Sequence, residues 1–247
     1  MSNHDPQRVI GDISILYEIS LAVGRSLDLR TNCEGFLQVL LARKNLAYGG
    51  VWIRTSLLSL PTAENGTPGE DGFSLVYGAP MFRIRERTIA HSHPLVQRLE
   101  RTPIFSEAAG SAIFDELVTE NRIRGGAYAL FDLAGIGFLK LYSGMRRTAF
   151  RPEELNQLRN AVSKFAVSIE GCLAHQGLLW EIAERTQAQA SLRASEERYR
   201  NVVEHASDGI IVIEDGLVVF TNGRAAAMAG TSPSAMRGAS FIQFVHP

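Results

Sequence analysis

Few residues in this sequence have the type and spacing needed for catalysis or metal binding. His91 and His93, in "HSH", supply two potential metal ligands, but no third ligand lies nearby and Pro94 marks a predicted helix start. Asp115 and Glu116 form a carboxylate pair in sequence, yet neighbouring residues on a helix point about 100° apart. We therefore expect no metal site and no catalytic residues in this chain.

The two cysteines, Cys33 and Cys172, both fall within helical patterns and lack CxxC or Cys/His spacing. This arrangement predicts buried, reduced thiols rather than a disulfide or a zinc site. The glycine-rich stretches "YGG", "RGG" and "GIG" lack the spacing of a phosphate-binding loop, so we predict that these glycines lie at strand ends.

Composition excludes several classes of partner. The chain has 247 residues, 45% hydrophobic and 21% charged, with a net charge of -1 and both signs interspersed. Such a balance gives no electrostatic footprint for nucleic acid or an acidic membrane. No apolar run approaches the roughly 20 residues of a membrane span, and the start does not have the pattern of a signal peptide. We expect a cytoplasmic protein.

Two helices open the predicted fold. Apolar residues recur with helical spacing at Ile13, Leu16, Tyr17 and Leu21. Thr31 and Glu34 have the spacing of a capping box, which predicts that a second helix begins at Thr31.

Strands and short helices follow. Segments 48–55 and 73–79 have strand-like composition and flank a loop of turn formers, and "MFRIRERTIA" alternates as a third strand. Pro94 and Ser111 each begin a short helical pattern. The strongest hairpin signal is 126–143, which predicts an α+β fold with an antiparallel sheet.

A long helix is predicted from Pro152, which suits the first helical position, with acidic residues in its first turn. Apolar residues then recur at alternating steps of three and four, which predicts a coiled-coil seam and a parallel homodimer. The predicted interface consists of Leu155, Leu158, Val162, Phe165, Ile169, Cys172 and Leu179. The alternative is that residues 153–175 cover the domain's own sheet and the rest is a solvated linker.

The first 175 residues resemble a GAF domain, a small-molecule-sensing module of signalling proteins. The resemblance rests on "YGGVWI", on "GGAYALFDLAGIGFLKLYS" and on "FRPEELNQLRNAVSKFAVSIEGCL", which is similar to the last helix of GAF domains. It implies a pocket between the sheet and the middle helices for an unidentified small molecule. The aromatic residues placed to line it are Trp52, Tyr77, Phe114 and Tyr128, although core packing is the alternative for each.

Several known GAF ligands and activities do not fit the sequence. In "FDE", Phe114 directly precedes Asp115, which departs from the motif of cyclic-nucleotide-binding GAF domains. Neither cysteine is followed by histidine, as bilin attachment requires, and two cysteines do not reproduce the three of GAF-fold methionine sulfoxide reductases. The cofactor, if there is one, stays unknown.

From Leu192 the sequence resembles the opening half of a PAS domain. It has a helix, the strands "GIIVIE" and "LVVFTN" joined at Asp215-Gly216, a cap at Asn222 and a final "GASFIQFVHP". PAS domains run on from this point into a longer helix and three more strands. We therefore expect an incomplete PAS segment in which Phe241, Phe244 and Val245 are exposed, mobile or packed against a neighbour.

The resemblances imply three parts: a GAF-like domain at 1–175, a helical linker at 176–195 and an incomplete PAS domain at 196–247. The implied function is the sensory and dimerisation region of a cytoplasmic signal-transduction protein, not itself an enzyme. One alternative is the input half of a histidine kinase or diguanylate cyclase with its catalytic domain beyond residue 247. Another is that the GAF-like domain is a small hydrolase or reductase.

Overall fold

The computed structural model describes residues 17–58 and 72–245. It divides into two compact units, residues 1–178 and 179–247. Residues 17–21 are helical, whereas the predicted helical positions Ile13 and Leu16 and most of the predicted loop at 59–72 lie outside the described residues.

Helix α1, Leu29–Lys44, begins earlier than predicted because Asp28 is its N-cap. The Asp28 carboxylate accepts a 2.7 Å hydrogen bond from the backbone N–H of Thr31. Hydrogen bonding from the Thr31 side chain, and then from this N–H, holds the pKa of Asp28 below its usual range. The predicted capping box is therefore wrong. Glu34 lies inside the helix, where it accepts a hydrogen bond from Gln38 one turn later.

The first unit is built on a six-stranded antiparallel sheet with the order β3-β2-β1-β6-β5-β4. Its strands, in chain order, are β1 Tyr48–Arg54, β2 Gly72–Ala79, β3 Thr88–Ala90, β4 Ile104–Ala108, β5 Ala127–Asp132 and β6 Gly137–Ser143. Helices α2, Thr55–Leu58, and α3, Pro94–Arg101, lie between strands. The α+β class with an antiparallel sheet is therefore confirmed.

Two predictions for residues 81–117 need correction, and one strand was missed. The predicted third strand is reduced to β3, because Met81–Arg83 forms a 3-10 turn and Ile84 bridges to Glu120 instead of extending the strand. The pattern that begins at Ser111 ends in the 3-10 turn Asp115–Leu117 rather than an α-helix. Strand β4 was not predicted at all, and it pairs with β5.

The predicted hairpin is confirmed as β5 and β6. Ala134 and Gly135 have φ values of 54° and 76°, which are the left-handed conformations of a tight turn between paired strands. Gly137 also has a packing role, because a Cβ there would lie 2.0 Å from the Trp52 carbonyl oxygen of the neighbouring strand β1.

Helix α4, Pro152–Glu204, extends over 53 residues, and its first half covers one face of the sheet together with α1. The apolar side chains of these two helices and of that face form the main hydrophobic core. Phe36 of α1 and Phe165 of α4 stack inside it with ring centroids 3.9 Å apart. Among the helices that the structure describes, none is both long enough and apolar enough to cross a bilayer.

The second unit has a two-stranded antiparallel sheet. Its elements after α4 are β7 Ile211–Glu214, β8 Leu217–Thr221, α5 Gly223–Met228, α6 Pro233–Met236 and a 3-10 turn at Phe241–Phe244. Asp215 and Gly216 have φ values of 48° and 78°, as the predicted hairpin turn requires. Asn222 caps α5 by accepting a 2.9 Å hydrogen bond from Ala225 N–H, which confirms the predicted cap.

Truncating the stacked Phe165 side chain tests the main core. We expect Phe165→Ala to lower the free energy of unfolding by about 3–5 kcal/mol, because the fully buried ring leaves a cavity against Phe36. Val167→Ala is the control, because Val167 lies on the same helix and is 66% exposed, and it should change stability by less than about 0.5 kcal/mol. Urea unfolding measures both, and equal losses for the two variants would contradict this account of the core.

Candidate functional site

The face of the sheet opposite α1 and α4 is aromatic. Alternation along the strands places Phe138, Lys140 and Tyr142 of β6 on this face, next to Tyr48 and Trp52 of β1. Helix α3 and the turn at Asp115–Leu117 cover it, and the enclosed apolar residues form a second buried cluster. We call this surface the aromatic face.

A fully buried ion pair lies on the aromatic face. The ammonium group of Lys140 is 2.9 Å from Glu120 Oε1, and neither side chain is exposed to solvent. Lys140 also donates hydrogen bonds to Thr119 Oγ1, at 2.6 Å, and to the carbonyl oxygen of Leu117. Its three donors therefore all have acceptors, as a buried ammonium group requires.

Glu120 is equally well satisfied. Its carboxylate accepts hydrogen bonds from Tyr128 Oη, at 2.7 Å, and from both the N–H and the hydroxyl of Thr119. The Lys140 ammonium group is also 4.5 Å from the centre of the Tyr128 ring, a cation–π distance. We call Thr119, Glu120, Tyr128 and Lys140 the polar cluster.

Burial dominates the acid–base properties of these groups. It lowers the pKa of Lys140, while the charge and hydrogen bond of Glu120 act in the opposite direction. The pKa of Tyr128 is raised, first by burial and then by the neighbouring Glu120 carboxylate. Tyr128 therefore stays a neutral phenol that donates to Glu120.

Two side chains on the aromatic face have hydrogen-bond donors without partners. Among the described residues, buried Trp52 Nε1 and buried Arg83 Nε and Nη1 have no hydrogen-bond partner. The Arg83 guanidinium lies 5.6 Å from the centre of the Tyr142 ring on the aromatic face. Gly50 pairs directly with Lys140, and a Cβ at Gly50 would lie 3.2 Å from Trp52 Nε1, which places this donor beside the strand position of Lys140.

A cavity of about 410 Å³ opens at one end of the aromatic face. Its apolar wall consists of Phe73, Val96, Leu99 and Phe138, and its charged rim of Arg54, Glu100 and Asp132. Phe138 also stacks on Trp52, with ring centroids 5.7 Å apart. A molecule that enters this cavity therefore meets the aromatic layer that surrounds the polar cluster.

The structure brings together three of the four predicted pocket residues. Trp52, Phe114 and Tyr128 are buried in the same cluster, and the rings of Phe114 and Tyr128 are 5.3 Å apart. Tyr77 lies on the opposite face of the sheet, where it packs against the main core and the guanidinium of Arg30. The reason is a β-bulge, because the register with β1 shifts between Val51 and Trp52 and reverses the alternation along β2.

Sequence reasoning predicted Tyr128 as a pocket residue but missed the other three residues of the polar cluster. The available signal was Lys140 itself, a charged residue between two aromatic residues on one face of a predicted buried hairpin. Glu120 gave no comparable signal, because it lies 20 residues away in an irregular segment and meets Lys140 only in the folded chain.

The other candidate residues have structural roles. His93 caps α3 by accepting a hydrogen bond from Leu95 N–H, and His91 lies 3.2 Å from Glu100. Cys33 and Cys172 are buried and free, as predicted. No group of three or more metal-ligating side chains occurs among the described residues.

The predicted dimer interface needs correction. Six of its seven residues are buried in the main core of their own unit: Leu155, Leu158, Val162, Phe165, Ile169 and Cys172. The seam pattern arises because this part of α4 packs on its own sheet and on α1, which is the alternative stated for residues 153–175. Leu179 differs, because 53% of it is exposed in the protomer.

The second unit has its own small apolar site. A cavity of about 410 Å³ is lined by Ile211, Met228, Met236, Phe241, Phe244 and other residues of that unit. Phe241 and Phe244 are partly buried against Val218, Ala226 and Met236, whereas Val245 is 51% exposed. The expected exposure is therefore seen for Val245 but only in part for the two phenylalanines.

Comparisons with known proteins place a PAS segment at the C-terminal end. Residues 197–247 match the family model of the PAS domain. No curated protein matches the chain.

Solved structures similar in fold include the GAF domain of an Acinetobacter phosphoenolpyruvate-protein phosphotransferase, with 12% identity, a TM-score of 0.48 and coverage of 72% of this chain and 97% of that one. Another is free methionine-R-sulfoxide reductase from Neisseria meningitidis in complex with its substrate, with 15% identity, a TM-score of 0.49 and coverage of 70% and 95%. A third is a bacteriophytochrome from R. palustris, with 11% identity, a TM-score of 0.41 and coverage of 84% and 45%.

The predicted PAS segment is confirmed by the family match at residues 197–247. The first unit has the helix-flanked antiparallel sheet that the resemblance to GAF domains implies. The chain thus combines this α+β fold, a long helix and a segment that matches the PAS family. The domain boundaries, the absence of catalysis and the dimer stay predictions.

Removing the charges of the polar cluster tests its energetics. We expect Lys140→Met to lower the free energy of unfolding by about 3–5 kcal/mol, because it leaves the Glu120 carboxylate buried without its cation. The double variant Lys140→Met with Glu120→Gln should recover much of that loss, because no buried charge remains.

Chemical denaturation of the single and double variants measures this coupling. The control is Arg185→Met, which breaks the exposed Arg185–Glu181 pair on α4 and should cost less than about 1 kcal/mol. If the single losses at Lys140 and Glu120 simply add in the double variant, the two charges do not depend on each other and this account is wrong.

Proposed function

We propose that this chain is the sensory and dimerisation region of a signal-transduction protein, with a small-molecule site on the aromatic face. The observation that carries the proposal is the polar cluster next to an open cavity. Two buried charges contribute little net stability compared with an apolar core of the same volume, so their presence favours a role in recognition. The unpartnered Trp52 and Arg83 donors support the same role, because buried donors without acceptors are rare.

Helix α4 is the proposed relay. Its first half packs on the sheet face opposite the proposed ligand site, and the same helix continues to Glu204, inside the segment that matches the PAS family. A ligand that binds one state of the sheet more tightly than another shifts the population of the helix states packed on it. The signal would then pass along α4 to a downstream output domain.

We place this region in the cytoplasm. The support is the pair of free cysteines, Cys33 and Cys172, because extracellular compartments favour oxidation of thiols whereas the cytoplasm keeps them reduced.

A thermal-shift screen of nucleotides, sugars, amino acids and organic acids tests the ligand site. We expect one class of compound to raise Tm, because a ligand at about 100 times its Kd adds about 2.7 kcal/mol to the stability of a folded state that it alone binds. Trp52→Phe should reduce that shift, because it removes the unpartnered indole N–H of the aromatic face. Trp180→Phe is the matched control and should leave the shift unchanged, because Trp180 lies on α4 in the second unit and is not among the residues of the aromatic face.

Hydrogen exchange measured on the same samples tests the proposed relay through α4. Hydrogen exchange of residues 179–204 should change on addition of the active compound. A panel that gives no shift, or a shift that Trp52→Phe leaves intact, would count against the site, and a shift without any change at 179–204 would count against the relay.

The proposed homodimer uses the later part of α4. Leu179 and Ile182 are each 53% exposed in the protomer and lie three residues apart on one side of the helix. Exposed leucine and isoleucine at this spacing favour pairing with the same surface of a second, parallel copy.

Leu179→Glu tests this interface, because it places a charge in each copy of the apolar contact. We expect it to convert the dimer to a monomer in multi-angle light scattering. Ala188→Glu adds the same charge at an exposed position nine residues later, off the predicted seam, and should leave the dimer intact. A Leu179→Glu protein that keeps the mass of the parent would refute the interface.

A further inference from the structure

The polar cluster has one cation and one carboxylate, and the carboxylate is supplied by an irregular segment. Apart from the side-chain bonds described above, Glu120 pairs through its backbone only in an isolated bridge to Ile84, and it lies in no helix or ladder. Lys140, by contrast, lies in the middle of β6, between β1 and β5. The Lys140 cation is therefore part of the sheet. The Glu120 carboxylate, in contrast, can move away from Lys140 without breaking any ladder of hydrogen bonds between strands.

Lys140 and the unpartnered donors on the aromatic face favour a negatively charged ligand. Trp52 Nε1 and Arg83 Nε and Nη1 are buried donors without acceptors among the described residues, and Lys140 itself only donates. A cationic ligand would be repelled by Lys140, and a neutral carbonyl offers acceptor sites but no charge to replace that of Glu120. A carboxylate supplies both a negative charge and about four acceptor sites.

The aromatic side chains beside Lys140 favour a ligand with an apolar part. Trp52 and Phe138 stack on each other beside Lys140, and Phe138 continues into the 410 Å³ cavity with Phe73. A flat or short apolar group packs against such rings. Two charged residues of the cavity rim already have partners, because Arg54 donates a hydrogen bond to the carbonyl oxygen of Gly135 and Asp132 accepts one from the Gly135 N–H.

We propose that Lys140 binds the carboxylate of a small organic acid, whose apolar or aromatic body packs against Trp52 and Phe138, and that Glu120 occupies this position in the ligand-free protein. This inference rests on the proposed function and names the ligand class of that site. Glu120 then acts as an internal competitor, because its carboxylate must leave Lys140 before the ligand binds. Only the fraction of molecules with a free Lys140 is competent to bind, so the apparent affinity is reduced by that fraction.

The experiment uses the full chain with Trp180→Phe, which leaves Trp52 as the single tryptophan of the two in the sequence. Benzoate, phenylacetate and acetate are titrated into the ¹⁵N-labelled protein while the Trp52 indole N–H signal is followed by NMR. Benzamide, phenylacetamide and acetamide are the matched neutral probes. We expect a saturable shift with the acids and none with the amides.

Two further variants test the roles of Lys140 and Glu120. Glu120→Gln removes the competitor and should tighten binding of benzoate by about tenfold or more. The double variant Lys140→Met with Glu120→Gln has no buried charge left unpaired, so it keeps the fold and should lose saturable binding. Near-ultraviolet circular dichroism verifies that each variant is folded before titration.

The outcomes separate this inference from the proposed function. Three results would each overturn the carboxylate site. The first is saturable binding of the amides, the second is binding of the acids by the double variant, and the third is weaker binding of benzoate by Glu120→Gln. If the thermal-shift screen then finds a neutral or cationic ligand whose shift is reduced by Trp52→Phe, the proposed function stands without the carboxylate site. If no acid, amide or screened compound alters the Trp52 signal, both proposals fail.

Discussion

The pairing of Lys140 with Glu120 is the interaction on which the aromatic face depends. Each charge would be prohibitively costly alone in a site without water, and each is stabilised only because the other is present with Thr119 and Tyr128. The pair also has a mechanical consequence. It attaches an irregular segment to the centre of the sheet, so the cover of the aromatic face is held by charge as well as by apolar contact.

The two faces of the same sheet thus have different physical roles. On one face, α1 and α4 bury a continuous apolar core with stacked Phe36 and Phe165, and non-directional apolar burial of this kind supplies most of the stability of a domain. On the other face, aromatic rings surround directional polar groups, some without partners. The main apolar core and the proposed ligand site therefore lie on opposite faces of one sheet.

Helix α4 illustrates how one pattern serves two purposes. Six of its apolar residues, from Leu155 to Cys172, follow the steps of a coiled coil, yet all six are buried in the main core of their own unit. A helix that packs on a sheet and a helix that packs on a partner need the same stripe of apolar residues. What distinguishes the two cases is whether another surface of the same chain covers the stripe, and here the cover ends before Leu179.

Local patterns in the sequence were enough to determine the hairpin turn at Ala134-Gly135, the cap at Asn222, the start of α4 and the PAS segment, because neighbouring residues alone set turn and cap geometry. Only the tertiary structure decided which side chains meet. The bulge in β2 turned Tyr77 away from the aromatic face, and folding brought Glu120 to Lys140 across 20 residues. Strand register and loop placement depend on contacts between distant residues, and a one-residue shift of register exchanges the faces of a strand.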